Sequence, residues 1–149
     1  MVKAKLLRCY EGALKELRGL GVDADKVHNI LRREGRRITA IDDPLLSGFT
    51  ETYDHTVRIA INKRILDKPS LCSRILAHEI LHDVGKLPDH HPFAKIWANV
   101  PRKYLAEHKG GRCSVMGDLW LKDPKCFKLD PECKEILRKK GLLVKPKKG

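Results

Sequence analysis

The eleven residues ILAHEILHDVG (75–85) constrain the fold more than any other stretch of the chain. At about 100° per residue, Leu71, Ile75, His78 and His82 fall on one side of a helix, while Leu76, Ile80, Leu81 and Val84 cover much of the rest. Ser73, Arg74 and Asp83 are left as its polar surface. A helix that is apolar nearly all round is a buried one, so the remaining elements must pack around it. Two histidines carried into such a setting need partners, because burying a polar group unsatisfied is costly. The helix is expected over 71–84, with Ser70 as its N-cap and Gly85 as its stop.

The flanking sequence supplies those elements. Residues 3–20 have helical periodicity, with Leu6, Leu7, Tyr10, Leu14 and Leu17 near one face. A second helix follows Gly21, capped by Asp23 or Asp25, with Val27, Ile30 and Leu31 as its buried stripe. RRITAID (36–42) reads as a short strand ended by an Asp-Asp-Pro turn. GFTETYDHTVRIAINKRIL (48–66) reads as a β-hairpin, with Phe49 and Tyr53 on one arm, a turn at Asp54-His55, and Val57, Ile59 and Ile61 alternating on the other. A helix is expected from Pro92 to about Lys109, carrying Phe93, Ile96, Trp97 and Leu105 and ended or kinked at Pro101. A last helix, in DPECKEILRKKGLL (130–143), is capped by Asp130. With 149 residues, no repeat and no boundary, the chain reads as one α+β domain, 1–149, with a basic tail from about residue 141. A small mixed sheet is expected to pack on the histidine-bearing helix, with further helices before and after it.

Four of the seven histidines lie in the segment ILAHEILHDVGKLPDHH (75–91). His78 and His82, four apart, face the same way and can present imidazoles to one ion. Glu79 lies about 100° round, able to reach a water on that ion without taking a coordination position. The pattern His-Glu-x-x-His is that of a zinc hydrolase: two ligands, and a carboxylate that takes a proton from water and relays it to the leaving amine. The metal lowers the pKa of that water towards about 7. Zinc suits a nitrogen-rich, four-coordinate hydrolytic site better than other metals.

HEILHDVG resembles the active-site helix of the zincin metallopeptidases. The glycine three residues after the second histidine is similar to the metzincin pattern HExxHxxGxxH. Its third-ligand position is Pro88 in this chain, which cannot ligate; His90 and His91 follow two and three residues later. RCSVMG (112–117) resembles the metzincin Met-turn, which would set Met116 beneath the metal, although core packing accounts equally well for a methionine there. The hairpin 48–66, with HHPF (90–93) leading into a helix, is instead similar to the SprT-like peptidases, in which the third ligand stands two residues before the proline-started helix. Both resemblances cover roughly residues 48–117 and imply a zincin-like fold. They favour His90 as third ligand, with His91 the alternative and Asp89 an outside candidate. Zincins pair extended peptide substrate with a strand beside this helix, which would turn Arg58 or Asn62 of the second hairpin arm towards the cleft. Tyr104 and His108 are downstream candidates for oxyanion stabilisation, with a structural role the plainer reading of each.

The net charge of +12 is concentrated in RREGRR (32–37) and RKKGLLVKPKKG (138–149). It fits a nucleic-acid surface or a solvated basic face alike. Aromatics make up only 5% of the chain, so stacking on bases has little support. Three functions remain in view: a zinc peptidase acting on peptides or proteins, a SprT-like peptidase acting on DNA-bound proteins, and a non-catalytic basic nucleic-acid-binding module with a structural zinc. No apolar run approaches the 18 or so residues that cross a membrane. The N-terminal residues lack the apolar core and cleavage site of a signal peptide, so a cytoplasmic protein is expected. Five cysteines cannot all pair. Cys9 and Cys72, in apolar helical surroundings, are expected to be ordinary buried thiols. His108, Cys113, Cys126 and Cys133 are candidates for a second, structural Cys₃His zinc, although none of the spacings is the tight C-x₂-C of a zinc ribbon. A Cys113–Cys126 or Cys126–Cys133 disulfide, or plain thiols, are the alternatives.

Overall fold

The computed structural model describes residues 2–35, 37–42, 48–53, 56–85, 123–129 and 131–144. Within them the chain is α+β. Helices α1 (Val2–Gly19) and α2 (Ala24–Arg33) precede strands β1 (Arg37–Ile41), β2 (Gly48–Tyr53) and β3 (Thr56–Asn62). A 3₁₀ turn, Ile65–Asp67, leads into α3 (Pro69–Asp83); α4 (Pro131–Lys139) is the last of the described helices.

The turn from α1 to α2 is set by local chemistry. Gly21 adopts φ +85, and the amides of Val22 and Gly21 return to the carbonyls of Leu17 and Arg18 at 3.0 Å each. This is the Schellman arrangement, which requires a left-handed residue and therefore favours glycine. Asp23 then caps α2, its carboxylate accepting from the Lys26 amide at 3.2 Å. Gly141, at φ +68, ends α4 in the same way. The segment after it pairs back on the first turn. The Asp23 amide donates to the Leu142 carbonyl (2.7 Å) and the Val144 amide to the Gly21 carbonyl (2.8 Å). Lys26 Nζ adds a bond to the Gly141 carbonyl.

The three strands form a mixed sheet in the order β1-β3-β2. β2 and β3 are the expected antiparallel hairpin, from Gly48↔Ile61 to Tyr53↔Thr56, while β1 lies parallel to β3 on its other side. The central strand is shielded on both faces: Ile59, Ala60, Ile61 and Asn62 are all buried. Asn62 accepts the Arg64 amide on its side-chain oxygen at 3.0 Å, which holds the turn into the 3₁₀ segment.

α3 packs against β2, β3 and α1, and α1 also touches β1. The contact between α1 and α3 is close because small residues meet there. A Cβ built on Gly12 would come within 2.0 Å of Ser73 Oγ. Such proximity changes two expectations. The buried stripe of α1 is Cys9, Ala13 and Leu17, whereas Leu7, expected in the core, is 57% exposed. Cys9 and Cys72 are joined in a disulfide across that contact, their Cα atoms 5.7 Å apart, instead of remaining thiols. The Lys5 ammonium and Asp67 carboxylate pair beside it, which holds the exposed Asp67 below its ordinary pKa through that hydrogen bond.

Two further details of α3 differ from expectation. It begins at Pro69 rather than after Ser70; proline's fixed φ and missing amide suit the first helical position, so Ser70 falls inside the first turn and Lys68 becomes the cap residue, without a side-chain bond. Ser73 and Asp83, expected as polar surface, are buried. The helix 92–109 and the cap residue Asp130 lie outside the described residues.

Candidate metal centre

α3 positions the site. Its core side is Cys72, Ser73, Leu76, Ala77, Ile80 and Asp83, flanked by Ile75 and Leu81, all buried. Leu71, Arg74, His78 and His82 fall within about 80° on the opposite side. None of the four is fully buried and none is fully exposed. They form a partly covered strip along the helix, with Glu79 beside it and likewise half-buried.

The imidazoles of this strip converge. His82 Nε2 lies 3.1 Å from His78 Nε2, and the rings meet edge to face with centroids 4.5 Å apart. Two zinc–nitrogen bonds of about 2.05 Å meeting near the tetrahedral angle place their nitrogens about 3.3 Å apart. The observed separation is within a few tenths of an ångström of that spacing. Two neutral rings can hold the same distance by sharing one N–H donor, so metal and proton compete for one position. His82 also sits in the last turn of α3, where the helix's carbonyl end favours a cation. The donor set therefore fits a zinc ion as far as two ligands go. Among the described residues no group of three ligating side chains comes together.

The other expected site residues divide as follows. His90, His91, Asp89 and Met116 lie outside the described residues, as do Tyr104, His108 and Cys113. Cys133 is a buried thiol on α4. Cys126 is disulfide-bonded, and a sulfur in a disulfide offers no thiolate to a metal. A Cys₃His set drawing on Cys126 is thus closed off while that bond persists. Arg58 is half-buried on β3.

No protein-family model, curated protein or solved structure matches this chain.

One residue of the strip stands outside the expected ligands, its sequence position marking it only as polar surface. Arg74 stands one turn before His78, and its Nε is buried without a hydrogen-bond partner. The signal was present in the sequence, as an arginine at the i−4 position on the histidine face.

Elsewhere, Tyr10 links α1 to α2 through its hydroxyl, 2.6 Å from His28 Nδ1. Burial raises its pKa above the ordinary tyrosine value.

Proposed function

We propose that this chain is a zinc-dependent peptidase with a zincin-like site on α3. The single observation that carries the reading is the convergence of His78 and His82 through their Nε2 atoms at 3.1 Å, with Glu79 on the adjoining side of the same helix. His78 and His82 would hold the ion, with His90 as third protein ligand and His91 as the alternative. Zinc, when bound, supplies Lewis acidity that makes water a nucleophile near neutral pH and polarises a peptide carbonyl. Glu79 takes the proton from the attacking water and returns it to the departing amine. Glu79 follows His78 in the sequence and lies about 100° round the helix from it, which keeps its carboxylate off the ligand direction. α3 fixes these groups because its core side is clamped by the sheet and by α1, so the strip moves as one rigid element.

The partners proposed are peptides or proteins. The charge of +12 favours, as a second reading, a SprT-like peptidase whose protein substrates are bound to nucleic acid. No described helix is long and apolar enough to cross a membrane. The proposed cytoplasmic location is compatible with the disulfides at Cys9–Cys72 and Cys126 where intracellular disulfides persist, as in hyperthermophiles.

Metal analysis of protein purified without chelator tests the reading. About one zinc per chain is expected, lost in His78→Ala and in His82→Ala while the fold survives. A wild-type protein that takes up no zinc overturns it.

A further inference from the structure

We infer that Arg74 is a carboxylate-recognition residue of the same strip, reading an acidic group on a peptide laid along α3. The inference rests on the peptidase reading for the identity of the ligand, and on three observations for the residue. Arg74 lies on the arc shared by Leu71, His78 and His82, opposite the core side of the helix. It is half-buried, and its Nε has lost contact with solvent without gaining a hydrogen-bond partner. Arg74 also has no ion pair among the described residues.

An arginine placed this way is unusual in energetic terms. The guanidinium is always charged and carries five N–H donors in a planar fork. Taking one of those donors out of water without an acceptor is the expensive way to bury it. The acidic residues of α3 do not offset the cost. Glu79 is five residues on and about 140° round the helix, and Asp83 is on the core side, nine residues on. An incoming carboxylate would take the fork's terminal N–H donors in two parallel bonds, its charge offsetting the cost of the half-buried cation.

The spacing sets where that carboxylate sits. Arg74 precedes His78 by one turn, about 6 Å along the axis, and helix side chains lean further towards the N-terminus. An extended peptide advances about 3.3 Å per residue. The acidic group therefore lies about two or three residues from the scissile bond. A glutamate or aspartate side chain and a free peptide C-terminus offer the same chemistry.

The test uses the full chain carrying Glu79→Gln, so that bound peptide stays intact, and fluorescence anisotropy with short labelled alanine peptides. One pair, blocked at both ends, differs by a central glutamate against glutamine; a second pair differs by a free C-terminal acid against its amide. At moderate salt the acid member of one pair should bind at least about tenfold tighter, as expected of a charge-assisted hydrogen bond. The pair that discriminates identifies the source of the carboxylate. Arg74→Gln should erase the difference and Arg74→Lys retain part of it. Arg33→Gln, the same loss of charge at an exposed position of α2, should leave it intact. Equal binding within both pairs, or equal losses in Arg74→Gln and Arg33→Gln, overturns the inference. Zinc content, measured on the same samples, separates this result from the metal reading: protein without zinc sinks the peptidase, while acid-over-amide discrimination that depends on Arg74 still upholds the residue's role.

Discussion

Replacing Cys9 and Cys72 together by alanine cuts the covalent tie between α1 and α3. The bond closes a loop of 63 residues. Loop-closure entropy for that length corresponds to about 4 kcal/mol at 25 °C, gained by restricting the unfolded chain. For a domain of this size that is roughly a 10 °C fall in melting temperature. The contact itself should survive, because Gly12 still lets α1 approach Ser73 and Ala13, Leu17, Leu76 and Ile80 remain buried. Guanidinium unfolding of oxidised and reduced protein, in a Cys126→Ala background that removes the other disulfide, isolates the crosslink from the loss of buried sulfur. Stability should fall by about 4 kcal/mol. The denaturant slope should rise, since the unfolded chain becomes more expanded. A fall of less than about 1 kcal/mol, or an unchanged slope, would refute the view that the disulfide acts on the unfolded state.

Other outcomes follow from single contacts. Gly12→Ala drives a methyl group into Ser73 Oγ and should cost about 1–3 kcal/mol in urea unfolding; adding Ser73→Gly should recover much of it. Asp23→Ala removes the cap of α2 and should cost about 1 kcal/mol by the same measurement. Tyr10 has a folded-state pKa raised by burial, so its contribution is fully present below the unfolded tyrosine value near 10 and is lost as pH rises through the folded value. The melting temperature should therefore decline above pH 10 more steeply in wild type than in Tyr10→Phe, measured by calorimetry; identical slopes would exclude Tyr10 as the cause.

The elements written in local signals are legible in the sequence. Gly21 followed by Asp23 announces the turn from α1 to α2, since both act through their own backbone or the next turn. The hairpin of β2 and β3 was equally clear from alternation and a two-residue turn. Contacts between distant segments were not legible. Nothing local marks Cys9 and Cys72 as partners, because their meeting depends on how closely α1 and α3 approach. That approach is set by Gly12 and Ser73, small residues that hydrophobic periodicity ignores. The same blindness placed Leu7 in the core, when the tight contact takes Cys9 and Ala13 instead. Parallel pairing of β1 with β3 is another long-range choice. At the site, one helix carries His78, Glu79 and His82, so spacing alone reveals them. The third ligand depends on the path after Gly85, and His90 lies outside the described residues.

Hydrolysis of an unfolded protein substrate by zinc-loaded wild type and by Glu79→Gln, with zinc content determined on both, tests the central claim most directly. Wild type should cleave, and Glu79→Gln should retain its zinc while losing activity by about 10²–10⁴-fold, the range of general acid–base catalysis. Undiminished cleavage by Glu79→Gln, or no cleavage by fully zinc-loaded wild type, would contradict it.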